Sequence, residues 1–122
     1  MDPEAIVREF CSAFSRQDLS ELLGYFAEDA VYHNIPLPPA EGIAAIEATL
    51  KHFVDPSAET EFRVRHLAVS GNAVLTERVD ALTIGGKQIE IPVMGVFEVD
   101  ADGKIAAWRD YFDMGMLQSQ LG

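Results

Sequence analysis

Residues Ala73–Ile84 limit the folds open to this chain more than any other stretch. They lie between two turn signals, Gly71-Asn72 and Gly85-Gly86, and their apolar positions recur with a period of two, as in one strand of a hairpin series. A strand sends alternate side chains to one face. The face that carries Val74, Leu82 and Ile84 also carries Arg78 and Asp80. A charge turned toward a core costs several kcal/mol, on the order of the effective desolvation penalty, unless it is paired. Arg78 and Asp80 are therefore expected either as an ion pair at a sheet edge or as lining of a cavity in which they do chemistry.

Around this strand the pattern divides into two. The N-terminal part has helical spacing. Asp2-Pro3-Glu4 starts a first helix with the stripe Ile6, Phe10, Ala13 and Phe14, because a cap, a proline and an acid suit a helix N-terminus. Asp18, with Glu21 as capping-box partner, starts a second helix whose buried side is Leu19, Leu22, Leu23 and Phe26. Residues 30–34 read as a short extended segment and Ile35-Pro36-Leu37-Pro38-Pro39 as a stiff loop. A third helix is expected over 41–53, with Ile43, Ile46, Leu50 and Phe53 on one stripe and Asp55-Pro56 as its stop.

From residue 62 the period changes to two. Strands are expected over 62–69, 73–84, 88–99 and 104–112, with Ala101-Asp102-Gly103 as the last turn and Met114–Leu121 as a short closing helix or a loose tail. Pro92 falls inside a strand, so it requires an edge or a bulge. Helices followed by hairpin-linked strands predict an α+β fold, a curved antiparallel or mixed sheet packed by the N-terminal helices, in one domain spanning 1–122.

Composition narrows the function classes. The 122 residues are 48% hydrophobic and carry a formal net charge of −11, which supports one core and repels nucleic acid, anionic membranes and most anionic substrates. No apolar run is long enough to span a membrane and no signal-peptide pattern opens the chain, so a cytoplasmic location is expected. The single cysteine, Cys11, has no intrachain partner and falls in the first helix beside Phe10, as a packed thiol would. His33, His52 and His66 lack metal-ligand spacing, so no metal site is expected; His33 should point away from its neighbours, and His52 should be exposed on the third helix.

The last strand repeats the anomaly of residues 73–84. Asp110 shares a face with Ala106, Trp108 and Phe112. If both strands face one interior, Arg78 can hold Asp80 and Asp110 together, because a guanidinium fork can bind two carboxylates. Two neighbouring carboxylates suit acid–base chemistry, one holding a proton while the other stays ionised. Tyr32 and Asn34 lie two apart in an extended segment, and with an ionised Asp they could orient a water. A purely structural Asp–Arg–Asp network and ordinary loop hydrogen bonding remain the alternatives.

Five segments then carry a resemblance: Tyr-Phe-Ala-Glu-Asp at 25–29, Val-Tyr-His-Asn-Ile-Pro-Leu-Pro-Pro at 31–39, Thr-Glu-Arg-Val-Asp at 76–80, Gly-Val-Phe at 95–97 and Trp-Arg-Asp-Tyr-Phe-Asp at 108–113. In order and spacing they resemble the limonene-1,2-epoxide hydrolase family over nearly the whole chain. The resemblance implies a cone-shaped α+β domain similar to nuclear transport factor 2 (NTF2), a deep pocket inside a curved sheet, a homodimer, and no cofactor. It implies opening of an epoxide by water in one acid–base step to a vicinal diol, without a covalent ester. By the same resemblance Asp110 is the general base, Tyr32 and Asn34 hold the water, Asp80 is the general acid, and Arg78 bridges the acids. Leu37, Leu82, Ile91, Val93, Trp108 and Phe112 are the expected substrate-binding walls, suited to a small apolar epoxide. The short N-terminus, the end soon after Asp113, and Pro92 and Met94 depart from the family pattern around the pocket. An isomerase or polyketide cyclase, or a non-catalytic binding domain, on the same fold is the alternative reading.

Overall fold

A computed structural model describes residues 2–54 and 59–122. Helix α1 (Pro3–Ala13) begins as expected, with Asp2 Oδ1 accepting from the Glu4 N–H at 3.1 Å. A 3-10 turn, Phe14–Arg16, leads to α2 (Leu19–Leu23), capped by Asp18, which accepts from the Glu21 N–H. The capping box is half formed. The Glu21 carboxylate is held by Arg16 at 2.6 Å instead of reaching back to Asp18. Phe26 does not belong to α2: Gly24 caps that helix, and Phe26 opens strand β1 (Phe26–Asn34).

The third helix is shorter than its apolar stripe suggests. Glu41 pairs with Val31, so Ala40–Glu41 forms a two-residue strand, β2. Gly42 follows with φ 86°, a backbone angle no helix contains. Helix α3 therefore starts at Ile43, ends at Leu50 and continues only as a turn over 51–53. The expected stop at Asp55-Pro56 lies outside the described residues.

Strands β3 (Glu61–Ser70), β4 (Ala73–Ile84), β5 (Lys87–Val99) and β6 (Ile105–Tyr111) follow the period-two reading within a residue or two at each end. Met114–Leu121 is a helix, α4. The sheet order is β2-β1-β6-β5-β4-β3, curved and unclosed. All neighbours are antiparallel except β1 and β6, which run parallel, so the sheet is mixed.

The β4–β5 ladder runs unbroken through Pro92, so no bulge relieves the missing N–H. An edge does. β6 ends at Tyr111, opposite Met94, and leaves the first half of β5 open on that side. The Glu90 N–H and C=O point to this open side, where the Gln120 side-chain amide of α4 binds both, at 2.9 and 2.8 Å. Pro92, two residues on, turns its nitrogen the same way and forfeits no ladder bond.

The core forms where α1 crosses the inner face of β3 and β4. Phe10 meets Phe14, Phe26, Phe97 and Trp108 edge to face at centroid distances of 5.1–5.9 Å. Cys11 is packed there, and burial pushes its thiol up to about 12, which keeps it protonated and inert.

Candidate active site

The sheet register assembles the polar residues of the inner face. In the parallel β1–β6 pair, Tyr32 lies beside Trp108 and Asn34 beside Asp110. Across the next two ladders Asp110 pairs with Gly95, and Gly95 with Thr76. Paired positions share a face, so Asn34, Asp110, Gly95 and Thr76 form one row. Arg78, two residues along β4, reaches over Gly95 toward Asp110.

That reach is what joins the two acids. Arg78 Nε donates to Asp80 Oδ1 at 3.0 Å, and Nη2 donates to Asp80 Oδ2 and Asp110 Oδ2, each at 2.8 Å. Nη1 donates to Thr76 Oγ1 at 3.0 Å. The Arg78 side chain is 0% exposed, and its charge also lies over the Phe62 ring at 4.9 Å. The pair is therefore not at a sheet edge: β4 lies between β5 and β3, and the network is interior.

The electrostatics differ between the partners. Burial acting alone would lower the Arg78 guanidinium, but Asp110 and Asp80 outweigh it and hold Arg78 firmly charged. Burial pushes the Asp80 carboxyl up; its bond to Arg78 opposes this, the charge of Asp110 adds to it, and the net direction is upward. One buried cation beside two buried anions leaves an excess negative charge. A proton on Asp80 removes that excess, because the low-dielectric surroundings disfavour it. Tyr32 is raised by burial first and by Asp110 second, against a hydrogen bond with Asn34, so its phenol keeps its proton.

Tyr32, Asn34, Asp80 and Asp110 open together into a cavity of about 220 Å³. Leu37, Leu82, Ile91, Val93 and Phe112, expected as walls, all line it. Trp108 does not. It is fully buried beneath Tyr32, with the two rings stacked at 4.0 Å, and its indole N–H goes to Asp110. The expected substrate-binding role is corrected on this point: sharing a strand face with Asp110 put Trp108 on the inner side, but α1 and Tyr32 cover it.

Several walls have no counterpart in the sequence reading. Phe53 enters from the turn after α3, Phe62 from β3 and Leu117 from α4. His52, exposed as expected but in the turn after α3, also touches the cavity. The position of Leu117 depends on where α4 folds back, which no local pattern encodes. Thr76 was legible, since it shares the period-two face of Arg78. A larger cleft of about 960 Å³, lined by residues such as Ser12, Glu61, Arg63 and Glu90, contains none of Tyr32, Asn34, Asp80 and Asp110. Among the described residues no cluster of three His, Cys, Asp or Glu side chains could hold a metal ion.

Gly95 is the position a side chain would spoil. A Cβ there would stand inside contact distance of both Arg78 Nη1 and Asp110 Oδ1. Gly95→Ala should therefore separate the groups and lower kcat by up to about 10², as an ångström of misplacement can, with overpacking costing about 1–3 kcal/mol. Steady-state kinetics and urea unfolding check both numbers. Parental kcat in the Ala variant would mean that the close approach is irrelevant to turnover.

The architecture defines the class first. An NTF2-like protein from Cytophaga hutchinsonii superposes with a TM-score of 0.76 over 97% of this chain and 96% of its own, at 19% identity, a likeness of fold alone. The family profile for the limonene-1,2-epoxide hydrolase catalytic domain then matches residues 1–121. Epoxide hydrolase EphG of Mycobacterium tuberculosis is 38% identical over 108 residues, covering 88% of this chain and 71% of that protein. A solved LEH-like epoxide hydrolase of M. tuberculosis has a TM-score of 0.82 at 35% identity, over 96% of this chain and 87% of the other. The chain belongs to the limonene-1,2-epoxide hydrolase family, and it is an enzyme of that type.

Proposed function

We propose that this enzyme adds water to a small, apolar, uncharged epoxide in one acid–base step, giving a vicinal diol without a covalent intermediate. The observation that carries the proposal is the meeting of Tyr32, Asn34, Asp80 and Asp110 at one apolar cavity, with Arg78 behind both acids. Tyr32 and Asn34 hold a water against Asp110. The water oxygen attacks an epoxide carbon as Asp110 takes its proton. The carbon–oxygen bond breaks as Asp80 gives its proton to the leaving oxygen. A proton returns from Asp110 to Asp80 through water entering the emptied site, and the cycle closes. Each acid–base partner contributes about 10²–10⁴ in rate, and the fixed geometry adds the advantage of preorientation.

The walls support an apolar substrate. Leu82, Ile84, Ile91, Val93, Phe112 and Leu117 surround the polar end, so a hydrocarbon body is desolvated at little cost while the epoxide oxygen meets Asp80. An anionic substrate would have to be buried beside two carboxyl groups in a chain of net charge −11.

Single-turnover reaction in heavy-oxygen water tests the mechanism. The label should appear in the diol and not in the protein. Label recovered on Asp80 or Asp110 would replace this reading with an ester intermediate. Failure of a panel of cyclic and terminal epoxides to yield any diol, beside turnover of a steroid-type enone, would favour an isomerase instead.

A further inference from the structure

Trp108 is the residue whose environment the proposed reaction does not yet use. It is the only tryptophan of the chain. It is 0% exposed and lines no part of the cavity. One ring face stacks on Tyr32 at 4.0 Å and 11° between planes, and Phe97 stacks on it at 5.2 Å and 19°. Phe10 meets it edge on, at 5.1 Å and 90°. The indole is thus clamped by β1, β5 and α1. From this clamped position Nε1 donates to Asp110 Oδ1 at 2.7 Å.

The two oxygens of Asp110 are therefore held by different donors. Oδ2 accepts from Arg78 and Oδ1 from Trp108. A carboxylate held at one oxygen can swing about its Cβ–Cγ bond, since that torsion is broad. Held at both, it cannot. An indole N–H is a donor only and has no acceptor site, so it fixes the carboxylate without competing for the proton taken from water. The same ring also fixes the plane of Tyr32. Two of the three groups placed around the water are thereby indexed to one rigid side chain.

We propose that Trp108 is a positioning residue for hydrolysis, locking the Asp110 carboxylate through its indole N–H and the Tyr32 phenol through its ring face. This rests on the assignment of Asp110 as the base. It predicts a loss confined to the chemical step. Substrate meets the cavity walls, not Trp108, so KM should move little.

Because Trp108 is the sole tryptophan, biosynthetic replacement by benzothienylalanine alters this one position. Sulfur takes the place of the N–H and the ring system keeps its shape. The isostere should retain the unfolding temperature and KM within about twofold while kcat falls by about ten- to a hundredfold, the range that misorientation produces. Trp108→Phe should lose kcat as well, with some stability. Parental kcat in the folded isostere would overturn the positioning role.

A second measurement does not depend on turnover. In nitrogen-15-labelled protein the one indole N–H resonance should lie downfield and be protected from exchange. It should move upfield in Asp110→Asn, where a neutral amide replaces the charged acceptor. An unchanged resonance in that variant would show that the bond is not made, and the role would fall. Asp110→Asn also separates the two claims. If it is inactive while the isostere is fast, the base assignment stands and the positioning role is overturned. If it is active, the base assignment fails and takes the positioning role with it.

Discussion

Asp80→Asn should lower kcat by about 10²–10⁴ with the fold retained by circular dichroism, and Asp110→Asn should do the same. Asparagine keeps the outline of the carboxyl but cannot give a proton at position 80 or take one at position 110. Both side chains line the cavity and both contact Arg78 Nη2 at 2.8 Å, so neither loss is explained by distance from the reaction. The pH profile adds a sign. Burial raises the Asp80 carboxyl, with Asp110 adding to the rise, so the proton-bearing form persists above the ordinary carboxylate range. Activity should fall as pH rises through that raised value, since the acid then loses its proton. The residual activity of Asp80→Asn should lack this alkaline limb. Near-parental turnover of either Asn variant would remove that residue from its role, and an alkaline limb surviving in Asp80→Asn would assign the limb to another group.

Arg78→Met should cost more stability than any other single change at the site, about 3–5 kcal/mol, the range for removing one partner of a buried ion pair. Methionine is apolar and unbranched, so it can occupy much of the channel over Gly95. It leaves Asp80 and Asp110, 3% exposed each, with no cation between them. Equilibrium urea unfolding measures the loss. The sign with pH follows from stranded carboxyls: folded-state affinity for protons rises above that of the unfolded chain, so the variant recovers stability on acidification and loses it as pH rises. A loss under 1 kcal/mol, flat with pH, would show that Arg78 does not neutralise the two acids. Activity should be lost as well, since Asp110 would lose the Arg78 bond that holds its Oδ2, opposite the Trp108 bond at Oδ1.

Much of the fold could be read locally. Period-two rows located β3 to β6 because side-chain alternation depends on neighbouring residues alone. Caps at Asp2 and Asp18 located α1 and α2 for the same reason. The readings that failed were those in which a local preference met a longer-range demand. The apolar stripe of α3 extends to Phe53, but pairing of Glu41 with Val31 and the positive φ of Gly42 shorten the helix at its start. Phe26 has the right spacing for α2, yet it opens β1, where it packs against Phe10 and Trp108. Pro92 asked for an edge or a bulge, and only the length of β6 chose between them.

Spacing along the chain established which side chains could share a face: Arg78 with Asp80, Trp108 with Asp110, Tyr32 with Asn34. It did so because those pairs are two residues apart on extended backbone, and that geometry needs no tertiary information. The assembled sheet is what makes the three faces meet. The parallel register of β1 on β6 sets Asn34 beside Asp110, and the glycine at 95 leaves the gap through which Arg78 crosses from β4 to β6. Tertiary packing also covers Trp108 with α1 and Tyr32, so that it holds Asp110 from behind instead of meeting substrate. Contacts of that kind join residues far apart in the chain, and their positions follow from how the whole sheet curves and packs, not from any stretch of it.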